Sequence, residues 1–191
     1  MFLVIGGAGY IGSRLVKELV KKEEVVVLDN LSASYQEAVD SGAVFVKGDL
    51  GNEEDLQMIF RSYPIKAVLH MAANSRFGNS EQEPLTYYEN NVSSTITLLK
   101  VMLEYKVKNL IFSMEETTSE IPLTPSERSK YMVEQILVDF SNAYGLRYQN
   151  VRYVQQAKAD ESISQFEDDQ VNHLTAAHLQ ALEALLVSET V

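Results

Sequence analysis

The sequence predicts a parallel α/β domain, a doubly wound sheet of about six strands with helices on both faces. Short apolar runs alternate with segments of helical spacing from the second residue onward. The runs are continuously apolar, which is typical of strands buried on both faces of a parallel sheet. Crossovers between such strands are right-handed, and 191 residues suffice for one core of this kind.

The predicted elements follow one another in a regular order. Strands are predicted at residues 2–5, 25–28, 43–46, 67–69, 110–112 and 151–154. Helices are predicted at 10–22, 53–63, 84–105, 126–144 and 171–186, and Pro84 suits the first turn of its helix. The polar stretch 155–170 is interpreted as a loop. The chain therefore divides into a main domain at 1–154 and a C-terminal part, loop and helix, at 155–191.

Composition excludes several classes of function. A formal net charge of −11 and a pI near 4.7 disfavour nucleic-acid partners and a basic membrane-surface helix. The absence of cysteine excludes disulfides, thiolate nucleophiles and cysteine-ligated metals. No apolar run approaches the roughly 20 residues that a membrane span requires, and the first four residues do not resemble a signal peptide. We expect a soluble, cytoplasmic protein with no nucleic-acid or membrane partner.

A glycine-rich turn joins the first predicted strand to the first predicted helix. Gly6, Gly9 and Gly12 have the spacing G-x-x-G-x-x-G. Glycines at such a turn let backbone amides approach a pyrophosphate, which the helix N-terminus attracts. Asp29 ends the second predicted strand about 20 positions after Gly9, where a carboxylate binds ribose hydroxyls. The pattern predicts a Rossmann-type site for a dinucleotide, NAD; a tight turn beside an unrelated acid is the alternative.

Several further motifs accompany this turn, and together they resemble the extended short-chain dehydrogenase/reductase family, in particular its UDP-glucose 4-epimerase branch. The likeness covers roughly residues 1–160. It is carried by GGAGYIGS at 6–13, VVVLDNLS at 25–32, GDL at 48–50, HMAANS at 70–75, PLTYYENNV at 84–92, SKYMVEQIL at 129–137 and AYGLRY at 143–148.

The resemblance implies a set of cofactor-binding residues. Asp49 and Leu50 would border the adenine, the segment after the fourth strand would line the ribose and nicotinamide, and Asn90 would point at the cofactor. The full set is Gly6, Gly9, Tyr10, Ile11, Gly12, Asp29, Asn30, Ser32, Ser34, Asp49, Leu50, Met71, Ala72, Ala73, Ser75, Asn90 and Lys130.

Some of these polar residues have simpler interpretations. Asp49 could cap the helix that follows it, and Asn90 could be a surface amide. His70, at a strand end, is more often a core histidine than a catalytic one. His173 and His178 are five positions apart and so do not share a helical face, and we expect no metal site.

The resemblance implies catalysis by a tyrosine and a lysine in a Y-x-x-x-K pattern, helped by a serine or threonine after the fifth strand. The tyrosine would take a proton from a sugar hydroxyl while NAD accepts hydride. Lys130 matches the lysine and is the expected catalytic residue, but Ser126 stands where the tyrosine belongs. Tyr131, one residue past the lysine, projects from a different part of the helix.

Two further departures affect the same site. Glu115 falls where the catalytic hydroxyl is expected, although Thr117, Thr118 or Ser119 could replace it in another register. Gln155 stands where the family has a substrate-contacting asparagine. A single helical segment occupies the place of the family's substrate domain.

Three interpretations of function remain open. The first is an NAD-binding epimerase-like domain with little or no turnover, either a natural remnant or an engineered minimal scaffold. The second is a reduced but active enzyme acting on a nucleotide sugar such as a UDP-sugar, with Lys130 and a hydroxyl of Thr117, Thr118 or Ser126. The third is a structural or interaction module whose cofactor site is empty.

The two long predicted helices, 84–105 and 126–144, also predict a homodimer. Family members commonly pair these helices across a two-fold axis. The first helix has more apolar positions than one narrow stripe needs, and burial of those positions against the sheet is the alternative. The positions are Tyr88, Val92, Leu99 and Met102.

Overall fold

The computed structural model describes residues 1–72, 80–115, 124–153 and 168–187. Its six strands form one parallel sheet in the order β3-β2-β1-β4-β5-β6, which confirms the predicted fold class. The strands are β1 (Phe2–Ile5), β2 (Val25–Asp29), β3 (Val44–Lys47), β4 (Ala67–His70), β5 (Asn109–Glu115) and β6 (Arg147–Tyr153). In the parts of the chain just given, no helix is long and apolar enough to cross a membrane.

Helices cover both faces of the sheet. They are α1 (Tyr10–Leu19), α2 (Glu53–Ser62), α3 (Pro84–Tyr87), α4 (Ser94–Glu104), α5 (Pro125–Tyr144) and α6 (Asp168–Val187). A π-helical segment, Tyr88–Ser93, joins α3 to α4, and a short 3-10 turn occupies Gln36–Ala38.

Two apolar clusters, one on each face, hold the layers together. Residues of α2, α4 and α5 pack on one face around Leu56, Leu98 and Val133. Residues of α1 and α6 pack on the other face around Leu15 and Leu182. The strands β1, β2 and β4 are buried along their whole length, as their continuous apolar sequences require.

The strand order reverses between β1 and β4. Ile5 pairs with Leu28 on one side and with His70 on the other, so the carboxyl ends of β1, β2 and β4 lie at one edge. Crevices for ligands in open α/β sheets form at this edge, where the order reverses. The edge therefore brings together the glycine turn, the end of β2 and the segment after β4.

The structure corrects the predicted bounds of the sixth strand. It starts at Arg147, four positions earlier than predicted, and residue 154 lies outside the described residues. The first half of β6 is polar, because this strand lies at the end of the sheet order and pairs only with β5 among the described strands. Continuous apolar sequence therefore predicts only the second half of this strand.

The predicted helix 84–105 also needs correction. The π-helical segment Tyr88–Ser93 interrupts it. Leu99 and Met102, which we assigned to a face beyond the sheet, are both 0% exposed within the core. Tyr88 and Val92 are partly exposed, so the wide apolar stripe is explained in part by packing against the sheet.

Candidate functional site

The glycine turn fits closely against its neighbours at three of its four glycines. Gly6 has φ +79°, and a Cβ there would lie 2.8 Å from the backbone nitrogen of Ala72. A Cβ on Gly7 would lie 2.8 Å from the Val27 side chain, and one on Gly12 would collide with the carbonyl of Gly6. These three glycines are therefore required by the packing of the turn itself.

Gly9 differs from the other three. Among the described residues, a Cβ at Gly9 would meet a single atom within 4 Å, the carbonyl oxygen of Gly6 at 3.2 Å. Its backbone, with φ −70° and ψ 170°, is open to any residue. The part of the chain that the structure describes therefore leaves the space over Gly9 clear at the start of α1.

Helix α1 begins at this clear space. Gly9 is its N-cap, supplies no side-chain hydrogen bond, and accepts the backbone N–H of Ser13 at 2.8 Å. The first turn, which starts at Tyr10 and Ile11, contains no acidic residue. The backbone amides at the positive end of the helix dipole thus face the edge of the sheet with no carboxylate in the first turn itself, an arrangement suited to a pyrophosphate.

The carboxylate of Asp29 is held beside this turn at the end of β2. Its Oδ2 accepts the Ala8 N–H at 3.0 Å, and its Oδ1 accepts the Leu31 N–H at 2.9 Å and the Ser34 hydroxyl at 2.8 Å. Leu31 adopts φ +61°, uncommon for a residue with a side chain. The loop after β2 is thus bent around the carboxylate.

A second pair of polar side chains links the ends of β2 and β3. Asn30 donates through Nδ2 to Asp49 Oδ2 at 2.8 Å and accepts the Ser32 N–H at 3.0 Å. Asp49 also accepts the Gly51 N–H at 2.7 Å. The following helix, α2, is capped by Asn52, so the interpretation of Asp49 as its cap is wrong. Leu50 is buried beside this link.

The end of β4 lies on the other side of β1 from the end of β2. Met71 and Ala72 are partly buried, and Ala72 lies against Gly6. Ala73 and Ser75 lie outside the described residues. His70, just before them, is 1% exposed, stacks edge-on against Phe112, and has its pKa lowered to about 4 by burial. These contacts agree with a core histidine.

The π-helical segment places two consecutive asparagines differently. Asn90, predicted to point at the cofactor, is exposed, whereas Asn91 is 4% exposed. Asn91 donates through Nδ2 to Ser129 Oγ at 2.9 Å, and Ser129 donates to the Ser126 carbonyl at 2.8 Å. Asn91 and Ser129 are not among the site residues predicted from the sequence, because burial of a polar pair has no signature in a single sequence.

Helix α5 places Lys130 inside the structure and Tyr131 outside it. Lys130 is 4% exposed, and Tyr131 is 48% exposed. Ser126 lies in the first turn, where Thr124 and Glu127 form a capping box. Glu115 ends β5, and the segment 117–119 and Gln155 lie outside the described residues.

The remaining histidines belong to α6, which packs against α1, β5 and β6. His178 is fully buried and its Nδ1 lies 2.6 Å from the Leu174 carbonyl, whereas His173 is exposed. Burial lowers the pKa of His178, and its hydrogen bond to Leu174 opposes that shift. In the described ranges, no group of three or more His, Asp or Glu side chains could hold a metal ion.

In sequence, the chain is similar to UDP-glucose 4-epimerases. The chain is 39% identical to a UDP-glucose 4-epimerase of Streptococcus mutans over 96% of its own length, and 41% identical to one of Halalkalibacterium halodurans over 83%. These matches cover 60% and 51% of the relatives, so the chain spans little more than half of their length.

Solved structures agree with the sequences. The fold matches a crystal structure of a UDP-glucose 4-epimerase with a TM-score of 0.85 and 33% identity, over 97% of this chain and 73% of that one. It matches the Brucella ovis UDP-glucose 4-epimerase in complex with NAD with a TM-score of 0.77 and 37% identity, over 83% and 53%. The profile of the NAD dependent epimerase/dehydratase family matches residues 2–185, and the chain belongs to that family.

Proposed function

We propose that this chain binds NAD at the edge between β1, β2 and β4, and that it has little or no epimerase turnover. The observation that carries the first part is the clear space over Gly9 at the start of α1, with the carboxylate of Asp29 held next to it. The family and the NAD complex of a relative support the same assignment.

The residues around the edge have the chemistry that this cofactor needs. The amides of α1 would hold the pyrophosphate, and Asp29 would accept the ribose hydroxyls. Asp49 and Leu50 would border the adenine, Met71 and Ala72 the nicotinamide ribose, and Lys130 would donate to that ribose. Bound NAD would supply a nicotinamide that accepts hydride.

The proposal of low turnover rests on Ser126. A phenol has a pKa near 10 that a neighbouring lysine can lower, and a serine hydroxyl has no comparable acidity. Tyr131 follows the buried Lys130 but is 48% exposed, so it does not replace the missing phenol. A sugar hydroxyl bound near Lys130 would have no general base of the family's kind.

A UDP-sugar is the substrate class that the relatives' names suggest. For this chain we propose a UDP-sugar only as a bound ligand, not as a substrate that is turned over. The competing proposal, an active reduced enzyme, draws support from Lys130, which is kept and buried on α5. Measured turnover distinguishes the two proposals.

Calorimetry with NAD tests the site directly. We expect Gly9→Ala to weaken NAD binding about tenfold or more, because the new Cβ occupies the space facing the pyrophosphate. Gly42→Ala is the matched control: its Cβ would also meet its nearest atom at 3.2 Å, but it precedes β3 at the other end of the sheet. Equal losses in both variants, or none in Gly9→Ala, would contradict the site.

A further inference from the structure

Hydroxyl groups from the start of α4 donate to carbonyls of the π-helical segment Tyr88–Ser93, whose wide turn is closed by a backbone bond from the Ser94 N–H to the Glu89 carbonyl. Ser94 donates to the Glu89 carbonyl at 3.0 Å, and Thr95 donates to the Asn91 carbonyl at 2.6 Å. π-Helical turns are rare and tend to occur at functional sites. Side chains that insert into the helical ladder are a known cause of such distortions.

Thr95 also contacts the sheet. Its Oγ1 lies 3.0 Å from Nε2 of His70, at the end of β4. The hydroxyl has one proton and gives it to the Asn91 carbonyl, so the imidazole must donate through Nε2. Nδ1 of His70 then carries no proton, and it is buried without a hydrogen-bond partner among the described residues.

The polar chain continues from Asn91 to α5. The Asn91 amide donates to the Ser129 hydroxyl, which donates to the Ser126 carbonyl in the first turn of the helix. His70, Thr95, Asn91 and Ser129 are each at most 5% exposed. One buried series of donors and acceptors therefore links β4, the π-helical segment and the helix that carries Lys130.

We propose that His70 and Thr95 are positioning residues for the dinucleotide site, an inference that rests on the proposed function. By fixing the wide turn they keep Asn90 exposed while Asn91 is buried. Through Asn91 and Ser129 they also fix the start of α5, and with it Lys130. Neither His70 nor Thr95 needs to touch the cofactor.

The test replaces the Thr95 hydroxyl without changing the volume of the side chain. Thr95→Val removes the hydroxyl that bonds to the Asn91 carbonyl and to the His70 imidazole. We expect NAD affinity to fall about three- to thirtyfold, and Thr95→Ser to restore it. Thr97→Val is the matched control, because Thr97 makes a comparable bond to the Ser93 carbonyl at 3.2 Å on a partly exposed side of the same helix.

A second control separates positioning from loss of stability. Asn109 is 2% exposed and donates to the Lys66 carbonyl at 3.1 Å, at the far end of the sheet. Asn109→Ala is expected to lower the melting temperature while NAD affinity stays within about twofold of the wild type. A Thr95→Val protein that melts earlier but keeps its NAD affinity overturns the inference.

Nuclear magnetic resonance of the protein without cofactor gives a readout independent of NAD. Thr95→Val should move the amide signals of Asn90 and Lys130 and the nitrogen signals of the His70 ring; Thr97→Val should move none of them. Unmoved Asn90 and Lys130 signals in Thr95→Val contradict the inference, even if the wild-type chain binds no NAD. Absence of NAD binding by the wild type contradicts the proposed function instead.

Discussion

Among the described residues, Asp29 accepts three hydrogen bonds, from two backbone amides and from the Ser34 hydroxyl. Three donors from two loops fix the direction of the carboxylate at the end of β2. A ribose is neutral, and its hydroxyls can donate hydrogen bonds to Asp29 in place of the Ser34 hydroxyl. A 2′-phosphate would meet the negative charge, and no Arg or Lys occurs between Asn30 and Tyr35 to neutralise it.

We therefore predict a preference for NAD over NADP of about tenfold or more, from a carboxylate–phosphate repulsion on the order of 1–4 kcal/mol at about 4 Å. Asp29→Asn should reduce the preference, because the amide carries no charge. Titration of wild type and variant with both cofactors measures it. Equal affinities of the wild type for NAD and NADP would refute the role given to Asp29.

His70 makes stability depend on pH. Its folded-state pKa of about 4 lies below the ordinary 6.5, so the unfolded chain takes up the proton at higher pH. The free energy of unfolding should therefore fall by about 2 kcal/mol between pH 7 and pH 5 from this group. Urea unfolding at both pH values should show a smaller fall in His70→Gln, and an unchanged one in His173→Gln, which alters an exposed imidazole. A fall of the same size in His70→Gln and the wild type would contradict this origin.

At the scale of single elements, α5 shows what local sequence can specify. The segment Thr124-Pro125-Ser126-Glu127 has the residues of a capping box with proline in the first turn, and the structure contains that box. Our predicted start at Ser126 was one residue late. The π-helical segment, by contrast, depends on partners in β4 and α5 that are distant in sequence, and helical periodicity does not reveal it.

The contribution of the capping box to the free energy of unfolding can be measured directly. Thr124 accepts the Glu127 N–H at 3.2 Å, and Glu127 accepts the Thr124 N–H at 2.9 Å. Thr124→Ala should lower the free energy of unfolding by about 1 kcal/mol, because one amide of the first turn loses its acceptor. Thr124→Ser keeps the hydroxyl and should retain most of the stability. Equal urea midpoints for Thr124→Ala and wild type would rule out a contribution from the cap.

At the scale of the whole molecule, the sequence predicts those features that have regular sequence patterns. Buried parallel strands and the glycine turn have regular sequence signatures, and the doubly wound parallel fold class was predicted from them. The arrangement around Lys130 did not, because it depends on the buried contacts of Asn91 and Ser129. Ala73, Ser75 and Gln155 lie outside the described residues. Their roles stay predictions.

The outer surfaces of α3 and α5 carry apolar side chains that favour the predicted homodimer. Leu85 is 67% exposed, Met132 44% and Val138 40%. Light scattering at tens of micromolar should give the mass of two chains, and Met132→Glu should lower it because burying a carboxylate in an apolar interface is costly. Met58→Glu on α2, at 45% exposure, is the control. A single-chain mass for the wild type would contradict the dimer.

This chain is predicted not to interconvert UDP-glucose and UDP-galactose at a useful rate. Loss of a general base costs roughly 10²–10⁴-fold. Ser126→Tyr should restore little, because Glu115 still stands at the position of the expected hydroxyl. Chromatography of UDP-galactose incubated with protein and NAD measures the reaction. Turnover above about 1 per second would show that other residues supply the base.

The difference between Gly9 and its neighbours separates two kinds of selection. A library of variants screened only for folding should retain Gly6, Gly7 and Gly12, because their replacements collide with the surrounding protein. At Gly9 the same screen should accept serine or aspartate, which are better N-caps, after a small shift of the Gly6 carbonyl. A screen for cofactor retention should return the position to glycine. The identity of this residue among survivors would thus report which property was being selected.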